Sequence, residues 1–272
     1  MTPTLSRAAL LETAVPTSVH PTAIVDPAAE LGQGVTVGPW ALIGPGCVVG
    51  DSSTIAARAT LERNVTLGRG VQVGMGSILG GDPQDLKFKG EETRVAVGDQ
   101  TILREYVTIN RATTESWCTT VGRNGFLMTY AHVAHDCQVG DGVVIANGTQ
   151  LAGHVHVADR ATISGLCAVH QFVRVGAFSF IGGCSRVTQD VPPYCKTVGN
   201  PVKLFGLNSV GLQRAGLDDA VIRELKRAFR FIFRSDLTVT QALERASEEL
   251  TLIPEVQHLL RFIGESPRGI GF

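Results

Sequence analysis

Large side chains are scarce in this sequence: aromatics make up 6% of its 272 residues, against 31 glycines. A core built around big rings is thereby excluded, and small aliphatics joined by many turns are expected instead. No apolar run approaches the ~18–20 residues of a membrane span, so no integral membrane segment is expected. Ala8-Ala-Leu-Leu11 is too short for a signal h-region and Glu12 ends it, which points to the cytoplasm. Net charge is −1 and pI about 6.7, so there is no global basic field and no nucleic-acid partner is expected. The six cysteines contain no CxxC pair, which sets aside zinc-finger and disulfide frameworks. At this length the chain holds one large domain or two ordinary ones.

What is present is a period of six. From Val25 an aliphatic returns at Leu31, Val37, Ile43, Val49, Ile55, Leu61, Leu67, Val73 and Leu79. Two residues before each beat sits a small one, such as Ala23, Ala29, Ala41, Cys47 and Ala59. A spacing of two describes a short strand with both residues facing inward, and the helical period of 3.6 fits nowhere here. Gly, Asn and Asp around the next positions are expected to supply turns with positive φ. The pattern breaks near 81–96, resumes at Val97, Leu103 and Ile109, breaks near 115–120, then runs from Val121 to Val187. Such a repeat is the signature of a parallel β-helix. Cys137, two before Val139, reads as a small core residue rather than a nucleophile.

Three hexads per coil stack residues 18 apart, and this arithmetic organises the stretch Leu127–Val139. His135 falls two past its beat, on a turn, hence outward, and its column continues with Gly153 and Gln171. The neighbouring column is Asp136, His154 and Phe172. Counted in beats, Leu79, Ile109 and Val133 also stack, so both interrupting loops leave from the edge that carries His135. A histidine beside a carboxylate takes a proton from a hydroxyl near neutral pH. Convergence of such groups on a rigid scaffold is what a site looks like.

After Val187 the pattern changes. Pro192-Pro193 cannot continue a ladder. Asp218–Arg234 is expected as an amphipathic helix, a second helix spans Val239–Leu250, and a third opens at Pro254 and stops near Gly264. Between Lys203 and Arg234, seven basic residues (Lys203, Arg214, Arg223, Lys226, Arg227, Arg230, Arg234) oppose Asp218, Asp219 and Glu224. This is either a solvated face or a landing patch for an acidic partner.

The chain resembles the acyl-[acyl-carrier-protein]–UDP-N-acetylglucosamine O-acyltransferases, which open lipid A synthesis. The matching stretches are Val19-His-Pro-Thr-Ala-Ile-Val25, Pro83-Gln-Asp-Leu-Lys-Phe88, Ala131-His-Val-Ala-His-Asp-Cys137, Leu151-Ala-Gly-His154, Ala168-Val-His-Gln-Phe172, Gly182-Gly-Cys-Ser185 and Gln189-Asp-Val-Pro-Pro-Tyr194. Phe205-Gly-Leu-Asn208, Gly211-Leu-Gln-Arg214 and Ser266-Pro-Arg-Gly269 complete the match. The resemblance implies an all-β left-handed parallel β-helix followed by a small α-helical C-terminal domain, against the usual crossover hand. The expected limits are an N-terminal extension over 1–18, the β-helix over 19–195 and the helical domain over 196–272. It also implies a homotrimer with sites between subunits, acyl carrier protein and UDP-N-acetylglucosamine as partners, and no cofactor or metal beyond the donor's own phosphopantetheine.

Carried onto this sequence, the resemblance makes His135 the general base for the glucosamine 3-hydroxyl, Asp136 its orienting carboxylate and the Gly153 N–H the oxyanion donor. It assigns sugar-nucleotide contacts to Asp85, Lys87, His132, His154, Gln171, Asn208 and Arg214. It makes His170 important for activity and Gly183 the limit on acyl-chain length. Asn110, also placed among the binding residues, stands where several relatives have His. Val210 and Ala215 stand where some carry glutamate and arginine, which leaves open a 3-hydroxy or a 3-amino acceptor sugar. Two rivals are a carbonic-anhydrase-like trimer with zinc on His132, His135 and His154, and a purely structural β-helix. The related N-acyltransferases carry a separate uridine-binding domain that has no counterpart in these stretches.

Overall fold

The computed structural model describes residues 16–271, so the stretch 1–15 of the expected N-terminal extension lies outside the described residues. Two-residue strands repeat along three faces of a triangular prism, and each face is a parallel sheet. The first face runs from Ser18–Val19 to Phe180–Ile181, the second from Ile24–Val25 to Arg186–Val187, the third from Glu30–Leu31 to Arg174–Val175. This is a left-handed parallel β-helix. Its first hexad includes Ser18, inside the expected extension, because Ser18–Val19 pairs with Thr36–Val37.

Within each hexad the beat and the residue two before it point inward, as their near-complete burial shows: Ile55, Leu61, Val133 and Leu151 are 0% exposed, and so are Ala59, Ala131 and Cys137. The coil ladders pair residues 18 apart, as in Gln72↔Thr54 and His132↔Gln150. Across the two loops the register lengthens, to Leu79↔Ile109 and then Ile109↔Val133, which is the stacking that counting in beats requires. The first loop occupies 82–93. The second occupies 111–117 rather than 115–120, since the strand Cys118–Val121 has already rejoined the third face. A missing aliphatic marks a lost beat, and the chain leaves the prism some residues before the beat fails.

The turns differ from expectation in composition. Positive φ is held not only by Gly, Asn and Asp but by Trp40, Tyr106, Tyr130, His154 and Phe172. A left-handed residue costs about 1–2 kcal/mol. Here each is tied to the coil before it, as in His154 N to His135 O at 3.0 Å and Phe172 N to Gly153 O at 3.2 Å.

The boundary expected at 195/196 falls inside a strand. Cys195–Val198 adds to the first face beside Phe180–Ile181 and then turns into an antiparallel hairpin with Lys203–Leu207. Four helices follow: α1 (Ser209–Arg214), α2 (Asp219–Arg234), α3 (Val239–Glu249) and α4 (Pro254–Gly264). α2 is capped by Asp218, which accepts from Ala220 N, and α3 by a Thr238/Gln241 capping box. The six-residue α1 was not expected, being too short to show a period. Ile222, Leu225, Phe229 and Ile232 of α2 pack with Leu259 and Ile263 of α4 over Tyr194 and Leu204 at the end of the prism. Among the described residues no helix is long and apolar enough to cross a membrane.

Candidate active site

His135 sits on the edge between the second and third faces, in the turn after His132–Val133. Its Nδ1 lies 2.8 Å from Asp136 Oδ2. Asp136, 2% exposed, is held from the other side by the second loop. Thr113 donates from N at 3.0 Å and Oγ1 at 2.8 Å, and Ser116 from N at 3.2 Å and Oγ at 2.5 Å. Burial of Asp136 raises its carboxyl pKa, but bonds from Ser116, His135 and Thr113 together outweigh it, and the group ends below its ordinary value. An ionised Asp136 accepts Nδ1–H and leaves the Nε2 lone pair of His135 free.

Gly153 lies directly on the His135 ring. A Cβ at 153 would stand 2.5 Å from His135 Cε1 and 2.7 Å from Nε2, so only glycine allows the approach. Its φ is not in the left-handed region, and neither are those of Gly165 and Gly183, which removes backbone strain as the reason for these glycines. On the neighbouring edge the same turn position sends its N–H to an aspartate one coil on, as Arg123 N does to Asp141 Oδ1 at 2.7 Å and Asp141 N to Asp159 Oδ1 at 2.8 Å. At 153 the coil above offers Gln171 instead, and the Gly153 N–H makes no hydrogen bond among the described residues.

Other expected residues gather around this pair. His154 stacks on Phe172 at 4.5 Å, meets the His135 ring edge-on at 5.1 Å and lies 3.6 Å from Glu115 of the second loop. His132 Nδ1 is 2.7 Å from Thr108 Oγ1, and burial followed by the charge of His135 lowers its pKa. Asp85, whose Oδ1 accepts from Lys87 N at 2.9 Å, borders a small cavity with Lys87, Thr113 and Glu115 between the two loops. Asn110 donates to Asp82 O at 2.9 Å and its buried Oδ1 has no partner among the described residues. Sequence reasoning missed Arg111, 1% exposed, which ties the first loop down through Asp82 Oδ1, Gly80 O at 3.1 Å and Glu91 O at 3.0 Å. No local pattern marks it, because its burial arises only when two inserted loops meet.

Gln171 continues the His135–Gly153 column, with His170 just before it, whereas Asn208, Arg214 and Gly183 lie elsewhere. Asn208 and Arg214 line a cleft of about 710 Å³ with Thr162, Phe180 and Lys196, which belong to the first face. That face is opposite the edge carrying His135. Asn208 also spends its side chain locally, accepting from Gly211 N and donating to Phe178 O at 2.9 Å. Gly183 follows Phe180–Ile181 on the edge between the first and second faces, with a Cβ position 3.4 Å from Gly165 O, so the two glycines stack as counted.

A zinc site on His132, His135 and His154 finds little support. The atoms that do cluster, within 4.8 Å, belong to His135, Asp136 and His154. Both Asp136 oxygens already accept from Thr113 and Ser116, and Nδ1 of His135 is committed to Asp136. Cys137 is 0% exposed with its thiol pushed up to about 12 by burial, a poor nucleophile. Cys137→Ala is expected to retain acyl-transfer activity within about twofold, since a thiol held protonated by burial contributes nothing as a nucleophile. A folded but inactive variant would reopen a covalent route.

Comparison with known proteins identifies the family. The family model described as "Udp N-acetylglucosamine O-acyltransferase; Domain 2" matches residues 190–271, and the bacterial transferase hexapeptide model matches 28–63 and 118–153. An acyl-[acyl-carrier-protein]–UDP-N-acetylglucosamine O-acyltransferase of Alkalilimnicola ehrlichii is 52% identical over 93% of this chain and 99% of its own length. One from Gloeothece citriformis is 49% identical over 70% of this chain and 68% of its own. The crystal structure of a UDP-N-acetylglucosamine acyltransferase from Bacteroides fragilis superposes with a TM-score of 0.91 at 38% identity, covering 93% of this chain and 99% of that one. With that identity running through both the β-helix and the helical end, the chain belongs to the acyl-[acyl-carrier-protein]–UDP-N-acetylglucosamine O-acyltransferase family.

Proposed function

We propose that this protein transfers a 3-hydroxyacyl chain from acyl carrier protein to the 3-hydroxyl of UDP-N-acetylglucosamine, the first step of lipid A synthesis. The observation that carries the reading is the His135–Asp136 pair set against the free N–H of Gly153. His135 Nε2 takes the sugar hydroxyl's proton as the oxygen attacks the thioester carbonyl. The oxyanion that forms is stabilised by the Gly153 N–H. Collapse breaks the C–S bond, and the departing pantetheine thiolate recovers the proton from His135. Incubation with UDP-N-acetylglucosamine, its 3-amino analogue and a panel of 3-hydroxyacyl carrier proteins tests the reading. Absence of transfer to UDP-N-acetylglucosamine, or transfer to the 3-amino analogue alone, would overturn it.

A homotrimer with sites between subunits is part of the proposal, and the placement of the expected nucleotide contacts supports assembly with a second copy. Asp85, Lys87 and His154 gather at one edge, while Asn208 and Arg214 line the opposite face. One rigid prism cannot fold these onto a single nucleotide, but a second copy can present its face to the first copy's edge. The carrier protein's place is supported by α2, where Arg223, Lys226 and Arg230 are all exposed on the face away from Ile222, Leu225 and Phe229. Acidic surfaces are steered by such a patch.

Gly183 is proposed to limit chain length. Its Cβ position meets only Gly165 O at 3.4 Å and Ser164 Cβ at 3.9 Å, ordinary contacts, so a side chain fits without disturbing the turn. Each buried methylene of a tail gains about 0.8 kcal/mol, and a tail that meets a wall gains nothing. Gly183→Met is therefore expected to fold normally, keep its rate with short donors and lose at least about tenfold with the longest accepted one, the equivalent of about two methylenes. An unchanged donor ranking in the folded variant would remove Gly183 from that role.

A further inference from the structure

The chain after α4 returns to the prism and is pinned there on both sides of Arg268. Ser266 Oγ donates to Asp190 Oδ2 at 2.8 Å, Asp190 N donates to Gly269 O at 3.0 Å, and Ile270 is buried beside them. Arg268 Nε donates to Thr188 O at 3.2 Å, and its Nη2 lies 3.3 Å from His170 Nδ1. His170 precedes Gln171, the next member of the His135–Gly153 column.

His170 Nδ1 has a second neighbour, the carbonyl of Gln171 at 3.2 Å. The two contacts ask opposite things of the ring. A carbonyl needs a hydrogen on Nδ1. A guanidinium has only donors and needs the lone pair there. A neutral imidazole carries one N–H, so the partner that wins decides which nitrogen holds it. Arg268 is already fixed by Thr188 O and by a segment bonded at both ends, so little further ordering is needed for it to donate. Nε2 of His170 has no partner among the described residues.

We propose that Arg268 is a positioning residue for acyl transfer: by donating to His170 Nδ1 it places the ring hydrogen on Nε2, where it donates to an oxygen of the bound nucleotide sugar. The inference rests on the acyltransferase reading above. A structural alternative is that Arg268 only staples the C-terminal segment to the prism, and the two differ in what His170 contributes.

The test is a double-mutant cycle on the full chain with R268M, R268K and H170A. Loss of one oriented donor predicts a kcat/KM lower by about tenfold in R268M, mostly in KM for the nucleotide sugar. R268K recovers part of this, since an ammonium donates but cannot span both partners. In the H170A background R268M costs less than about twofold, as the coupling between the two residues requires. Nitrogen-15 NMR of histidine-labelled protein, with the His170 signals assigned by their loss in H170A, reads the tautomer without turnover. Wild type shows Nε2–H and R268M shows Nδ1–H. An equal penalty with and without His170, or an unchanged tautomer, overturns the proposal. If R268M does not fold, R268A, which also removes the donor, decides on the same two readouts. Failure of the wild type to transfer acyl chains would refute the functional reading, while the tautomer result would still judge the Arg268–His170 contact.

Discussion

Replacing His135 with alanine is expected to lower kcat by about 10²–10⁴, the range a positioned general base contributes, while the fold survives. The fold survives because Asp136 keeps four donors from Thr113 and Ser116 when the His135 bond is gone, so no buried charge is stranded. KM for the sugar nucleotide should move by less than about threefold, since a base that acts in the transition state contributes little to ground-state binding. The variant also leaves a gap over Gly153, into which added imidazole should bind and restore part of the rate. Steady-state kinetics with and without imidazole, beside thermal melting, check all four points. Near-normal turnover in the folded variant would sink the mechanism.

The parts of this architecture visible in the sequence are those that depend on local repetition. Val133, Leu151 and Val169 announce the second face because each coil must bury an aliphatic at the same place, and the columns through His135 and Asp136 follow by addition. The hand of the coil does not follow from periodicity, since a hexad repeat is the same for either hand; only the resemblance to a family carried it. Bulky residues at left-handed turns were illegible for a related reason. Tyr130 and Phe172 are tolerated by bonds to the previous coil, Tyr130 N to Glu105 O at 3.1 Å for one, which no single hexad displays. Distance across the prism was also hidden. Asn208 and Arg214 share a motif-level assignment with Asp85 and Lys87, yet the three-sided coil puts them on opposite sides, and sequence spacing holds no trace of that separation. Arg111 and Arg268 were missed because their partners come from loops and termini whose paths are set by the finished fold.

The Asp136→Asn variant is expected to be nearly as damaging as loss of His135, and by two routes that the structure separates. Asp136 Oδ1 accepts from Thr113 N, Ser116 N and Ser116 Oγ, while Oδ2 accepts from Thr113 Oγ1 and lies against His135 Nδ1. An amide nitrogen placed at the Oδ1 position would face two backbone N–H groups, donor against donor, with a cost of about 1–3 kcal/mol for each one left unsatisfied in the interior. Placed at the Oδ2 position it would donate to His135 Nδ1, forcing the ring hydrogen onto Nε2 and removing the lone pair that in the proposed mechanism takes the substrate's proton. The second arrangement keeps more bonds, so the variant should fold and lose about 10²–10⁴ in kcat, the same amide swap in a serine-protease triad costing about 10⁴. Stability supplies an independent check through pH. The carboxyl of Asp136 is held below its ordinary value, so its contribution is fully present above the unfolded pKa of about 3.9 and is lost as pH falls through the lower folded value. The amide that replaces it cannot titrate. The melting-temperature gap between wild type and variant should therefore be widest near neutrality and narrow below about pH 4. A gap that stays constant from about pH 6 to about pH 3 would mean that the carboxylate is not the charged anchor of this edge, and a folded variant with wild-type turnover would mean that His135 does not depend on it.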